Sequence, residues 1–113
     1  MMENLESTIF QLILHGGDGK SLAMEALAAA RKGDIPSAKE KIDACVDALN
    51  EAHHIQTSLI QEETNGNLTM ITLLMVHAQD HLMNAITVKD MAIEMIEIYD
   101  KMNKISHFQH DNQ

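Results

Sequence analysis

Hydrophobic residues recur every three or four positions along nearly the whole chain, which is the period of an amphipathic helix. The pattern predicts three helices, at about residues 3–31, 35–63 and 68–103. Turn signals separate them, RKGD after the first helix and TNGN after the second. Because short connections make neighbouring helices antiparallel, the sequence predicts one all-α domain over residues 1–113, an up-down-up three-helix bundle.

Local signals define the helix ends. Gly33 follows the basic last turn of the first helix, as a C-terminal glycine does. Asp34 is the expected N-cap of the second helix, and Pro36 is tolerated in its first turn. Asn67 is the expected cap of the third helix. Residues 104–113 have no periodic partner, so we expect this tail to fray.

The third helix carries two apolar stripes, although a three-helix bundle requires only one from each helix. The first stripe consists of Ile71, Leu74, Met75, Ala78, Leu82, Ala85, Ala92, Ile93 and Ile96, with Lys89 as its charged member. The second stripe, more than a quarter-turn away, consists of Met70, Leu73, Val88, Met91, Met95 and Ile98. In so small a chain, we expect another copy of the chain to cover the second stripe. The polar residues that interrupt it (His77, Asp80, His81 and Asn84) are then expected at or beside a subunit interface.

Composition and charge narrow the class of protein. The apolar residues are mainly Ala, Leu, Ile and nine Met, which are typical of helices. A net charge of −9 argues against nucleic acid or an anionic membrane as partner. The single Cys45 is in phase with apolar positions of the second helix, so we expect a buried thiol. No signal peptide and no apolar run of about 18 residues is visible, and we expect a cytoplasmic protein without membrane insertion.

The segment GDGKS (17–21) resembles the end of a phosphate-binding P-loop. A P-loop needs glycine where this chain has Leu14, and it needs a preceding strand that the sequence does not predict. We therefore expect Gly16 and Gly17 to relieve crowding in the first helix or to loosen it, and no nucleotide site.

The segment VHAQDHLMNA (76–85) holds the candidate chemistry. His77, Asp80 and His81 lie three and four positions apart, so they share one surface of the helix. The residues alone leave three alternatives open: a transition-metal site, a hydrated interface, or covalent chemistry on a histidine. The order H-x-x-D-H differs from the H-E-x-x-H pattern of zinc proteases. His53 and Gln56 fall near the core face of the second helix, where we expect them to bond each other or the backbone, or to support the site from beneath.

Three segments, VHAQDHLM (76–83), AARKGD (29–34) and EAHHIQTSLIQEE (51–63), resemble the IIA component of the lactose/chitobiose (cellobiose) class of the bacterial sugar phosphotransferase system. The similarity extends from about Leu12 to Tyr99 in the same order and spacing. Ile35 departs from the aromatic residue that the family commonly has after Gly-Asp, but it belongs to a turn.

The resemblance implies a function and a site. As a phosphotransferase component, the chain would accept a phosphoryl group on His77 from phospho-HPr and pass it to a cysteine of the cognate IIB protein, during uptake of a disaccharide such as cellobiose, chitobiose or lactose. It would form a homotrimer of nine helices, in which Asp80 of each subunit meets Mg²⁺ or another divalent ion on the axis. We assign supporting roles at the phosphoryl site to His81 and Gln79. Two alternatives remain: a metal-binding bundle that uses His77 and His81, and a structural oligomer without chemistry.

Overall fold

The computed structural model describes the backbone of residues 2–111 and the side chains of residues 4–106. It contains three helices, α1 (Met2–Arg31), α2 (Ile35–Thr64) and α3 (Leu73–Asp111), packed into a rod of 67 × 21 × 20 Å. The predicted all-α, three-helix architecture is confirmed. No helix in the described part of the chain combines the length and apolar character needed to cross a lipid bilayer.

The first connection follows the predicted signals. Gly33 has a positive φ of 91°, and the N–H of Asp34 donates to the carbonyl of Ala29 at 3.0 Å. The Asp34 side chain then accepts from the N–H of Ser37 at 3.1 Å, as an N-cap does. The first two helices begin and end within one residue of the predicted bounds, and α1 continues through Gly16 and Gly17 without interruption.

The start of α3 differs from the prediction, which placed it at residue 68 with Asn67 as its cap. Asn67 instead closes the end of α2, because its N–H donates to the carbonyl of Glu62 at 2.9 Å and its side chain donates to the Glu62 carboxylate at 3.0 Å. Residues 65–72 form the connection. The cap of α3 is Thr72, whose hydroxyl accepts from the N–H of Met75 at 3.2 Å.

The end of α3 also differs from the prediction. The helix continues to Asp111 instead of ending near residue 103, so the expectation of a frayed tail is wrong as far as the described backbone extends. Lys104 and Asp100, one turn apart, form an ion pair of 3.3 Å on this segment. Residues 112 and 113 of the predicted tail lie outside the described residues.

The core contains residues of all three helices, and most of the predicted first stripe of α3 contributes to it. The first stripe of α3 is buried from Met75 to Ile96 at its central positions, whereas Ile71 lies in the connection before the helix and is exposed. Cys45 is buried, as predicted. Lys89 is half-buried, and its Nζ lies 2.8 Å from Oδ1 of Asp90, which accounts for a charge in the first stripe. The fully buried side chains are mostly alanines, so the three backbones approach one another closely.

Candidate functional site

The two histidines of the candidate segment lie together on α3. His77 is exposed, and His81, one turn later, is half-buried. Their ring centroids are 5.9 Å apart and their planes differ by 15°, so the rings are stacked. A helix therefore holds an accessible imidazole against a second, more buried one.

The glycines of α1 pack against the neighbouring helices, two of them against one histidine of this pair and one against the core. GDGKS is entirely helical, so the prediction that it is not a P-loop is confirmed. Gly19 packs against Leu49 of α2, and Gly16 and Gly17 pack against His81 of α3. The expectation that the glycines relieve crowding is confirmed as well.

Asp80 is exposed and lies on the face of α3 that points away from the core. Its one hydrogen-bond partner among the described side chains is Asn84, whose Nδ2 lies 3.5 Å from Oδ2. Within the described residues, no group of three His, Cys, Asp or Glu side chains is arranged to hold a metal ion. His77, Asp80 and His81 of one chain are therefore not arranged as a set of metal ligands. An outward carboxylate does have the oxygen donors that Mg²⁺ prefers, if other copies of the chain supply the rest.

Gln79 faces α2 and not the histidines. Its Oε1 accepts from Nε2 of Gln56 at 2.6 Å, and its Nε2 lies 3.8 Å from the sulfur of Met75. Two positions along a helix turn a side chain by about 200°, so Gln79 and His77 of one chain point to opposite sides of α3. The structure does not bring these two predicted site residues together.

Of the alternatives predicted for His53 and Gln56, a hydrogen bond between the two side chains is not formed. His53 is exposed, and Gln56 is half-buried with its amide on Gln79 of the next helix. The role of Gln56 as the partner of Gln79 was not predicted. Its place on the core face of α2 was the signal, because a polar group there needs a hydrogen-bond partner.

A groove adjoins Asp80 on the side of α3 that faces α2. Its volume is about 470 Å³, and it lies between the end of α2, the 65–72 connection and the start of α3. Most of its wall is apolar, with contributions from Leu59, Ile60, Met75, Val76 and Met83.

The second stripe of α3 remains uncovered in the single chain. Leu73, Met91, Met95 and Ile98 are exposed, and Val88 is half-buried, whereas Met70 lies in the connection before the helix. The exposed apolar line continues beyond the predicted stripe to Met102 and Ile105. A hydrophobic face of this length is typical of a surface that another chain covers.

The only cysteine has the properties of a structural thiol. Burial raises the pKa of the Cys45 thiol above its ordinary value of 9.0, while the nearby Lys89 charge and a backbone hydrogen bond from Ala23 oppose this rise. A thiol that stays protonated is a poor nucleophile. Cys45 is therefore not part of the candidate site.

Comparisons with known proteins show which family the chain is similar to. The sequence model of the lactose/cellobiose-specific IIA subunits of the PTS system matches residues 7–100. The chain is 59% identical over 104 residues to the lichenan-specific phosphotransferase enzyme IIA component of Bacillus subtilis, which covers 92% of this chain and 94% of that protein. It is similar to the crystal structure of the PTS cellobiose-specific enzyme IIA from Bacillus anthracis (TM-score 0.88, 51% identity, 92% of this chain and 95% of that chain). It is also similar to IIA(chitobiose) of Escherichia coli, solved in complex with HPr (TM-score 0.77, 38% identity, 88% of this chain and 96% of that chain).

Proposed function

The chain belongs to the lactose/cellobiose-specific IIA subunits of the PTS system, and from this we propose that it is a cytoplasmic phosphoryl carrier with His77 as the acceptor. The observation that carries the proposal is an exposed His77 stacked on His81, within the segment that the family model matches. The system it serves would take up a disaccharide of the cellobiose, chitobiose or lactose type.

In the proposed reaction one phosphoryl group is transferred twice, first from HPr to His77 and then from His77 to the IIB protein. A neutral ring nitrogen of His77 attacks phosphorus, a new N–P bond forms, and the bond between phosphorus and its donor atom on HPr breaks. In the second step, a cysteine thiolate of the IIB protein attacks, an S–P bond forms and the His77 N–P bond breaks. Such transfers ask a protein mainly for positioning and charge stabilisation, which a ring fixed on a helix supports.

The supporting residues act from two directions. His81 lies against His77 in the same chain and would stabilise the phosphoryl oxygens as a hydrogen-bond donor. Gln79 points away from the His77 of its own chain, so it would support only the His77 of a neighbouring subunit. Gln56 would hold the Gln79 amide in place for that role.

The assembly would be a homotrimer around the second stripe of α3. Its exposed methionines, leucine and isoleucines supply the apolar area, and Asp80 lies on the same outward face. Three carboxylates on one axis would repel one another, and a shared Mg²⁺ or similar divalent ion would neutralise that repulsion when bound. The resulting interface would place His77 beside a subunit boundary.

HPr and a IIB protein would dock on the side of the molecule where the histidines meet α1. Phe10, Leu14 and Met24 are exposed there and recur on the face of α1 that contains Gly17. Exposed apolar side chains beside a reactive group are typical of a protein-docking surface. A chain of net charge −9 favours a basic surface on the partner.

The test is the intact mass of the protein after incubation with phosphoenolpyruvate, enzyme I and HPr. We expect one added phosphoryl group, labile in acid, on the wild type and on the control variant His54→Gln, which changes an exposed histidine outside the site. His77→Gln should gain no mass. Adding a IIB protein should then remove the group from the carrier, and a IIB variant without its cysteine should not.

Two results would contradict the proposal. If a folded wild-type protein gains no mass beside active HPr, the carrier function is wrong. If His77→Gln still gains an acid-labile group, the acceptor is another residue. Stoichiometric transition metal in the purified protein, lost in His77→Ala, would instead favour the metal-binding alternative.

A further inference from the structure

The ring of His81 fits into a notch on α1 that two consecutive glycines create. A Cβ atom at Gly17 would lie 3.3 Å from Nε2 of His81, and a Cβ atom at Gly16 would lie 3.4 Å from its Cδ2. The contact at Gly17 is tighter than ordinary van der Waals contact, so a methyl group there requires the ring to shift by a few tenths of an ångström, whereas the contact at Gly16 is at the limit of an ordinary one. How deeply the His81 ring lies between α1 and α3 therefore depends on the absence of side chains at Gly16 and Gly17.

His81 is also stacked with the ring of His77. The two rings are nearly parallel, with centroids 5.9 Å apart. His81 thus lies between the backbone of α1 and the exposed ring of His77, and a displacement of His81 changes the surface on which His77 rests.

We propose that Gly16 and Gly17 are positioning residues for the acceptor ring, acting through His81. Their lack of a side chain sets the position of His81, and the stacked His81 sets the orientation of His77. Two adjacent glycines in the middle of a helix are unfavourable for helix formation compared with alanine. A requirement for the His81 ring at this depth explains why the chain has them here. The kinetic consequence rests on the proposed function, whereas the ring geometry does not.

Gly17 is the position to change, because His81 Nε2 is the only heavy atom that a Cβ there would meet within 4 Å outside its own helix turn. At Gly16 the same Cβ would also meet the backbone of Leu82, 3.6 Å from its Cα, so the helix packing itself would respond. In Gly17→Ala we expect the ring-proton NMR signals of both His81 and His77 to shift, because stacked aromatic rings alter each other's resonances. We expect the thermal midpoint to stay the same or rise, since alanine favours the helix.

The same variant should accept the phosphoryl group from phospho-HPr more slowly, by about three- to tenfold, because small misplacements of a reacting group are costly. A double variant separates positioning from general disturbance. In a His81→Ala background, Gly17→Ala should cause no further decrease in the rate, since the ring through which it acts is absent.

Gly19→Ala is the matched control. The same substitution two residues along α1, just over half a turn away, forces a Cβ against Leu49 in the core and not against the histidines. We expect a lower thermal midpoint with unchanged histidine ring signals and an unchanged rate per folded molecule.

Unshifted ring signals of both histidines in Gly17→Ala would overturn the notch, whereas shifted ring signals with a wild-type transfer rate would overturn its role in positioning the acceptor ring. If Gly17→Ala lowers the transfer rate equally in the wild-type and His81→Ala backgrounds, Gly17 does not act through the His81 ring. If the wild type accepts no phosphoryl group at all, the proposed function fails, and the ring signals alone decide whether the glycines position His77.

Discussion

His53 and Gln56 lie one turn apart on α2 and have different surroundings. Helical spacing placed both near the core face, but the face is narrow at this point, and the structure exposes His53 while burying half of Gln56. The partner of Gln56 is on another helix and 23 residues away along the chain. The sequence could predict that a polar group near the core needs a partner, but only the packing of two helices selects which one.

Cys45 allows a prediction for a single side chain. Because burial raises the pKa of its thiol, iodoacetamide at pH 8 should label the native protein at least about tenfold more slowly than the urea-unfolded protein. The unfolded chain releases the thiol proton at a lower pH than the native protein does. The contribution of this thiol to stability is therefore complete below pH 9 and is lost as the pH rises beyond it.

The measurement is urea unfolding of the wild type and of Cys45→Ala at pH 7 and at pH 10. The wild type should lose more of its free energy of unfolding between these two values than the alanine variant does. Equal losses, or fast labelling of the native protein, would show that Cys45 is accessible.

At the scale of whole helices, α3 shows where sequence patterns succeed and fail. Its first stripe predicted the buried face correctly from Met75 to Ile96. Its start was misplaced because Leu68, Met70 and Ile71 continue the apolar pattern backwards into a connection where they are exposed, while the cap is Thr72. Its end was misplaced because the described side chains after Asn103 (residues 104–106) are exposed and give no core position to mark the helix. Periodicity reports the buried face of a helix and contains no information on turns that extend beyond the core.

The exposed face of α3 follows the heptad spacing of a coiled coil in its second half. Val88, Met95 and Met102 recur every seven residues, and Met91, Ile98 and Ile105 recur every seven residues three positions later. This seam supports an interface between copies of α3 that continues past residue 100, where the family match ends.

Met91→Lys should therefore weaken the oligomer by at least about 1 kcal/mol per subunit, because it places a charge in an apolar contact. Met24→Lys is the matched control, since Met24 and Met91 are both 53% exposed in the single chain and Met24 belongs to α1. Sedimentation over a dilution series should show dissociation of the Met91 variant at concentrations where the wild type and the control remain assembled. An unchanged Met91 variant would mean that the second stripe is not the interface.

The whole molecule has a net charge of −9 and leaves one apolar face of α3 exposed. One face of each helix is buried in the core of the single chain, and the outward face of α3 is exposed. His77 and Asp80 are both exposed and lie within the same two turns of α3. In the proposed assembly both would lie at a subunit boundary, as the second apolar stripe predicts, and the site would then depend on the oligomer.

Asp80→Leu tests the proposed trimer, in which three carboxylates would lie near one axis. Leucine removes their mutual repulsion and adds apolar contact, so we expect the variant oligomer to be as stable as the wild type or more stable, by about 1–4 kcal/mol. Chelation of divalent ions should promote dissociation of the wild type and leave Asp80→Leu unaffected. Asp47→Leu, at an exposed position of α2, is the control for added surface hydrophobicity. Sedimentation of all three proteins with and without Mg²⁺ is the measurement. If Asp80→Leu dissociates into monomers while Asp47→Leu does not, the carboxylates and their ion attract the subunits by more than an apolar side chain can replace.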